Sequence, residues 1–418
     1  MTGPAVDSPS PWMSTLISGV RIFTFLSIVS VLISIAAAET FLGIAFLLWI
    51  PVGVEESRRQ KRLAVFWPSY WWPIQLFVAA SLISLFLSKD PLAGMTVVRK
   101  FPLYFLIFLV MRFFDWTWVK RTFFAVIFVG CAASFVGIGQ FVKKWLHYRH
   151  TGNVFDNPFM LDRIHGFVGH WMTFSGQQVL VMSAVLAFLV LFPKQRTWLW
   201  ILVTGIVATS ITLSFTRSIW LATFVILGLV LIWFRSKIVL VIPAVIIVAV
   251  LLFPHAIYKR LASATQPPFA AGRLEMAIAG WHLWQQHPWF GVGPQRVEPE
   301  FIAYLHSQGE YHPPFYTGHL HDNFVQIAVE RGIFALLAYL WLVVELIVRF
   351  WRGSRKTSNP VELRIACLAG LLGTSALFVA GFFEYNFVHS PVLILFLFFI
   401  SAPYARIIGE PSVSRSGA

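Results

Sequence analysis

The chain has 418 residues, of which 58% are hydrophobic and only 12% are charged, against about 25% charged in an ordinary soluble domain. Its 41 Phe and 18 Trp leave too little polar surface to cover so much apolar mass in water, which excludes a soluble globular enzyme. The net charge of +14 does not indicate nucleic-acid binding, because the basic residues form short groups between apolar segments. Contact with anionic membrane lipids explains them better.

Apolar windows bounded by charge, Gly or Pro recur along the whole chain and predict about 12 transmembrane helices. We therefore expect an all-α integral membrane protein folded as one helix bundle. The windows span residues 16–38, 40–54, 71–88, 97–114, 122–142, 178–192, 198–215, 219–234, 238–253, 332–351, 365–384 and 391–408. The predicted organisation is helices 1 to 9 with a loop at 143–177 in residues 1–253, a large loop at 254–331, and the last helices with a tail in 332–418.

The positions of Lys and Arg predict which side of the membrane each loop faces. Alternate short connections carry dense basic groups, and the positive-inside rule assigns these connections and both termini to the cytoplasm. The two long loops then face outward. They are the only places with enough polar surface for a functional site, so we expect the functional residues there.

The segment 318–326 predicts a helix that begins just after two histidines. Asn323 followed three residues later by Gln326 resembles a capping box, which places His321 directly before the helix. An imidazole can take a proton from a hydroxyl near neutral pH, so His321 is a candidate general base. Two alternatives stay open: both histidines bond to loop backbone at the membrane interface, or His-x-His binds zinc. The candidate supporting residues are His319, Asp322 and Asn323.

Arg217 lies alone between two apolar runs on the predicted outer side. A guanidinium flanked by the hydroxyls of Thr216 and Ser218 is a candidate phosphate ligand, although an arginine that only snorkels to the membrane surface would show the same pattern.

The stretch from about Arg273 to Gln286 has helical spacing with an apolar face, and we expect it to lie along the membrane surface. Arg273 itself is either an anion ligand or the partner of Glu275 or a lipid headgroup. Further basic residues would complete an outward-facing electropositive cavity suited to a diphosphate. These residues are Arg163, Arg99 and Lys89.

Three elements at these positions resemble the O-antigen ligase and O-antigen polymerase superfamily of bacterial inner-membrane proteins. Each element is weak alone, but their order and spacing are fairly specific. They are Thr216-Arg217-Ser218, then Arg273 with the block from His287 to Pro294, then His321-Asp322 with Glu330 and Gly332. The resemblance covers mainly residues 200–345.

The resemblance implies a glycosyltransferase C-type bundle with a large periplasmic loop and a metal-independent, cofactor-free reaction. It implies an O-antigen ligase that moves a glycan from undecaprenyl diphosphate to a sugar hydroxyl of lipid A core in lipopolysaccharide biosynthesis. His321 would be the catalytic base, and Arg217 and Arg273 would bind the diphosphate. Asp322 departs from the pattern, in which Asn usually follows the histidine.

Other functions compete with this interpretation. An O-antigen polymerase would use the same donor. Protein O-glycosylation is less expected, because the chain ends about ten residues beyond its last apolar window, without an appended domain. A small-anion transporter would also explain an electropositive outer cavity, but transport usually needs ionisable groups near the membrane midplane, and charge here lies mainly at the ends of the apolar windows.

Overall fold

The computed structural model describes residues 11–60, 67–151, 162–192, 197–234, 247–248, 251, 269–309, 318–387 and 389–405. Within these ranges the regular structure is helical, which confirms the predicted all-α class. The helices are α1 (Pro11–Ser30), α2 (Ile35–Gln60), α3 (Trp71–Leu87), α4 (Pro91–Val98), α5 (Phe105–Phe113), α6 (Trp116–Thr151), α7 (Trp171–Leu191), α8 (Thr197–Leu213), α9 (Arg217–Phe234), α10 (Phe269–Gln286), α11 (Val297–Ser307), α12 (Asn323–Arg355), α13 (Val361–Ala380) and α14 (Ser390–Ser401).

Seven stretches in the described part of the chain are long and apolar enough to cross a bilayer, and four shorter apolar helices accompany them. The predicted windows overlap these helices, except 238–253, nearly all of which lies outside the described residues. The division between the first two windows, 16–38 and 40–54, was wrong, because α1 already ends at Ser30 and α2 begins at Ile35. The prediction of a multi-pass membrane protein is thereby confirmed.

Buried helices form the centre of the bundle. Every residue of α14 is buried, and α7 and α13 are buried along most of their length. α13 packs against α7, α9 and α12, while α7 also packs against α6 and α8. Outer helices expose large apolar side chains, such as Phe86 and Phe128 at 76% each. Such surfaces are unfavourable in water and suit a hydrocarbon solvent.

The connection between α6 and α7 is shorter than the predicted loop at 143–177. α6 continues to Thr151 and α7 already begins at Trp171, where the His170 ring accepts the Met172 N–H at 3.3 Å. The polar run that begins α7 had the composition of a loop, yet it is buried. The Gln177 amide donates to the Val31 carbonyl at 2.8 Å, which satisfies this side chain inside the bundle.

The predicted large loop contains two helices, α10 and α11, that pack against α12. The helical prediction for residues 273–286 is confirmed. Met276, Ala279 and Leu283 form the buried face of α10, whereas Leu274 and Trp281 are exposed. That this apolar outer face lies on the membrane surface stays a prediction.

A break in α12 joins the segment that contains α10 and α11 to the bundle. α12 begins at Asn323, directly after the two histidines as predicted, so the apolar window 332–351 covers only its later part. Gly332 interrupts the helix with a φ of +79°. The turn at 287–296 fits into this break: Val292 N–H donates to the Val329 carbonyl at 2.8 Å, and Gly293 N–H donates to the Glu330 carbonyl at 3.0 Å. A return bond runs from Ile333 N–H to the Pro288 carbonyl at 2.9 Å.

Gly332→Ala should therefore destabilise the protein strongly. A Cβ at this residue would lie 2.0 Å from the Trp289 carbonyl oxygen, and the left-handed φ adds strain, so we expect a loss of about 3 kcal/mol or more. The matched control is Gly228→Ala on α9, where the added methyl group meets no atom within 4 Å. Thermal unfolding in detergent, followed by tryptophan fluorescence, should separate the two variants, and equal melting temperatures would contradict the role of Gly332.

Candidate functional site

His319 and His321 lie together in the short loop that leads into α12. Their ring centroids are 4.3 Å apart, and the His319 ring is 6.0 Å from the ring of Tyr385. His321 has a φ of +54°, a conformation that non-glycine residues rarely adopt. The side-chain carbonyl of Gln326 accepts the Leu320 N–H at 2.8 Å, so α12 itself holds the backbone between the two histidines.

Asp322 caps the N-terminus of α12. Its Oδ1 accepts the N–H groups of Phe324 at 2.7 Å and Val325 at 2.9 Å. The predicted capping box with Asn323 as the cap was wrong, because the Asp322 carboxylate takes these amides one residue earlier and leaves Asn323 in the first helical turn. Asn caps helices about as well as Asp, so either residue can hold the start of this helix.

Asn323 ties the start of α12 to the segment between α13 and α14. Its backbone N–H donates to the Gly381 carbonyl at 2.7 Å, and its side-chain Nδ2 donates to Asn386 Oδ1 at 2.9 Å. In return, Asn323 Oδ1 accepts the Asn386 N–H at 3.0 Å. The tether is buried, and it holds Tyr385 beside the histidine loop.

Three arginines from different elements lie near one another, and one of them, Arg273, is also near His321. Arg217 is the first residue of α9, Arg273 is on α10, and Arg163 precedes α7. Burial lowers the pKa of Arg163 to about 10, while the charge of Glu384 raises it and the charges of Arg217 and Arg273 lower it further. The buried Glu384 accepts the Ser218 hydroxyl at 2.5 Å, which places a carboxylate directly beside the turn that presents Arg217.

The electrostatic surroundings keep His321 neutral. Burial and then the charges of His319 and Arg273 lower the pKa of His321 to about 3, so the imidazole is uncharged at pH 7. Burial also raises the pKa of Asp322, whereas its hydrogen bonds from two backbone N–H groups and the charge of Arg273 lower it.

Glu330 connects the turn, the histidine loop and Tyr385. Its Oε1 accepts the Gln295 N–H at 3.0 Å, and its Oε2 accepts the Tyr385 hydroxyl at 3.0 Å and the Gln326 amide at 3.4 Å. The fully buried Arg331 lies 3.8 Å from the same Oε2 and supplies a compensating charge. Because Gln326 also holds the Leu320 N–H, Glu330 supports the backbone directly before His321.

The structure brings together most, but not all, of the candidate residues from the sequence. His319, His321, Asp322 and the three arginines form one group, and Asn323 braces it. Lys89 is instead ion-paired with Glu300, with its Nζ 3.1 Å from Glu300 Oε1. The exposed Arg99 has Lys100 as a charged neighbour.

Sequence reasoning missed Glu384 and Tyr385. One signal was present: Glu384 is a carboxylate at the very end of the apolar window 365–384, and ionisable groups next to a membrane span are often functional.

We expect Asp322→Asn to leave protein stability within about 0.5 kcal/mol of the natural chain, whereas Asp322→Ala should cost about 1 kcal/mol. The amide oxygen can still accept the bonds from Phe324 and Val325, but alanine leaves both N–H groups without the cap. Chemical denaturation of the detergent-solubilised protein would measure the difference. An Asn variant as unstable as the Ala variant would show that the negative charge, rather than the cap, matters.

The central part of the chain matches a known family. Residues 201–340 match the family model described as O-antigen ligase, and this range contains Arg217, Arg273 and His321. No curated protein matches the chain at a significant level. The family match confirms the resemblance seen in the three sequence motifs and supports membership of the chain in the O-antigen ligase and polymerase superfamily.

Proposed function

We propose that the protein is an O-antigen ligase of the bacterial inner membrane. It would transfer a glycan from undecaprenyl diphosphate to a sugar hydroxyl of lipid A core at the periplasmic face. The observation that supports this most directly is the convergence of His321 with Arg163, Arg217 and Arg273 at one site, within or beside the range that matches the family.

The arginines are proposed to bind the donor diphosphate. Guanidinium groups form strong, often paired hydrogen bonds to phosphate, and α9 adds the positive end of its dipole, because Arg217 is its first residue. Positive charge at this position would stabilise the charge that develops on the bridging oxygen as the sugar–phosphate bond breaks. The arginines would thus do what a divalent cation does in many other glycosyl transfers.

His321 is proposed to act as the general base on the acceptor. Its neutral imidazole takes the proton of the acceptor hydroxyl while that oxygen bonds to the anomeric carbon of the donor sugar. The bond from this carbon to the diphosphate breaks, and undecaprenyl diphosphate leaves with the bonding electron pair. The imidazolium then releases its proton to solvent. A single displacement of this kind inverts the anomeric configuration.

Donor binding would strengthen this base. The positive charge of Arg273 contributes to the low pKa of His321. A diphosphate on Arg273 would offset that charge with negative charge of its own, and a nearby anion favours the protonated imidazole. His321 would therefore become basic enough to accept a proton mainly when the donor is in place.

We expect His321→Ala to lower turnover by at least about a hundredfold and Arg217→Ala to lower it by a similar factor. The purified protein would be incubated, with and without EDTA, with undecaprenyl-diphosphate-linked glycan and lipid A core, and products would be separated by size and lipid. The control variants are His282→Ala, an exposed histidine on α10, and Lys89→Gln, which is ion-paired with Glu300.

Glycan transferred to lipid A core, unaffected by EDTA and retained in both controls, is the expected result. A ladder of longer glycans still attached to undecaprenyl diphosphate would instead identify a polymerase. Full activity of His321→Ala would refute the base, and the absence of any transfer by the unaltered protein would refute the proposed function.

The pH dependence should report the charge on His321. The acid limb of kcat/KM, which reflects the free protein, should lie below pH 5, and the limb of kcat should lie at higher pH because bound donor raises the pKa. Arg273→Gln removes a positive charge that lowers this pKa, so it should move the kcat/KM limb upward, towards the ordinary histidine value of about 6.5.

Arg163→Gln is the matched control for the pH profile, because Arg163 is not among the charges that lower the His321 pKa. It should weaken donor binding without moving the limb. Identical limbs in the unaltered protein and Arg273→Gln would contradict the assignment of the limb to His321.

A further inference from the structure

A cavity of about 450 Å³ opens between the outer end of α6 and the segment that precedes α7. Its volume falls in the range of small-molecule sites, roughly 300–1,000 Å³. Lys143, Lys144 and Tyr148 line it from α6, and Asp162 and Arg163 line it from the opposite side. Neither the family motifs nor the reaction described above uses this cavity as a whole.

The lining favours an anionic, hydroxyl-rich ligand. Three basic side chains face one carboxylate, and His147 and His165 add further hydrogen-bonding groups. Lysine and arginine bind phosphate or carboxylate groups through charge-assisted hydrogen bonds, and the phenol of Tyr148 can bond to sugar hydroxyls. The chemistry of the wall therefore matches a sugar that carries a phosphate or a carboxylate.

The wall of the cavity is fixed by Gln140 of α6. Its Nε2 donates to the Gly166 carbonyl at 2.9 Å, and its Oε1 accepts the N–H groups of His165 at 3.0 Å and Gly166 at 3.1 Å. A single side chain thus holds three backbone groups of the facing segment. A cavity held in this way loses little conformational entropy when a ligand binds.

Arg163 connects the cavity with the arginine group. Its guanidinium lies 3.8 Å from the centroid of the Trp171 ring, and its charge interacts with those of Arg217 and Arg273. The neighbouring Ile164 is buried in one small apolar cluster with Phe215, which stands two residues before Arg217. The floor of the cavity and the turn that presents Arg217 are therefore parts of one packed unit.

The position of the cavity along α6 places it outside the hydrocarbon layer. α6 has 36 residues, which at 1.5 Å per residue give a length of about 54 Å, against a hydrocarbon thickness of about 30 Å. Lys143 and Lys144 follow directly after the apolar window 122–142 of this helix, so we expect them at or beyond the level of the lipid headgroups. Sugars of a lipid-anchored acceptor would lie at the same level, whereas the polyprenyl chain of the donor stays in the membrane.

We propose that this cavity binds a phosphate or carboxylate group carried by the sugar acceptor and thereby directs the acceptor hydroxyl towards His321. The proposal rests on the transferase function above and names the chemical class of its acceptor. In this arrangement Arg217, Arg273 and Arg163 hold the donor diphosphate, whereas Lys143 and Lys144 hold the anionic group of the acceptor. The two lysines therefore discriminate between acceptors and leave donor affinity unchanged.

Binding to the full-length protein in detergent tests the cavity without any reaction. The probe is a water-soluble oligosaccharide released from lipid A core with its phosphate groups, compared with the same oligosaccharide after phosphatase treatment, by isothermal titration calorimetry. Phosphatase treatment should weaken binding by about tenfold, and the double variant Lys143→Gln/Lys144→Gln should show the same weak binding to both probes. Thermal unfolding of the variant establishes that it is folded.

Arg149→Gln is the matched control, because Arg149 is exposed on the same end of α6, lies over the Trp145 ring and does not line the cavity. It should bind both probes as the unaltered protein does. In transfer assays the lysine double variant should raise the acceptor KM by about tenfold while kcat and the donor KM stay unchanged.

The outcomes separate the cavity from the function. Equal affinity of the double variant and the unaltered protein for the phosphorylated probe would overturn the cavity proposal while transfer continues. A different outcome is that phosphatidylglycerol vesicles displace the probe from the unaltered protein and fail to bind the double variant. That result would assign the cavity to a lipid headgroup and would also overturn the cavity proposal. Phosphate-dependent binding without transfer by the unaltered protein would support the cavity and refute the transferase function.

Discussion

The carbonyls of Val329 and Glu330 bond to the turn at Val292 and Gly293 because the helix that contains them is interrupted at Gly332. Inside an unbroken helix these acceptors would be used by the next turn. The interruption therefore leaves two helical carbonyls free to bond to the turn between α10 and α11, which attaches this segment to the bundle. Arg273, upstream of the anchored turn, and His321, just before the interrupted helix, take their relative positions from this junction.

Charge is the second determinant of the site. Three arginines near one another repel, and the buried Glu384, held by Ser218, offsets only part of their charge. The remaining positive potential lowers the basicity of His321 and favours an anion bound between the arginines. The charges that disfavour protonation of His321 before the donor binds would favour binding of the diphosphate. Donor binding and the basicity of His321 are therefore linked through Arg273.

Periodicity and composition predicted the helices well, because most of them bury or expose apolar side chains along their whole length. The motifs also pointed to Arg217, Arg273 and His321, which the fold places near one another, although their roles stay a prediction. Glu384 and Tyr385 were missed because their position depends on pairs far apart in sequence, above all Asn323 with Asn386. The start of α7 was misplaced because buried glutamines that hydrogen-bond to neighbouring elements cannot be distinguished from loop residues by composition alone.

The tether between Asn323 and the segment after α13 has a consequence for protein engineering. The family match ends at residue 340, but Asn386 and Glu384, which contact Asn323 and Ser218, lie beyond that limit. A chimera that exchanged only residues 201–340 with a relative would pair each of these side chains with a partner selected in another protein. Grafts that keep the site intact have to carry residues 381–387 together with the matched range.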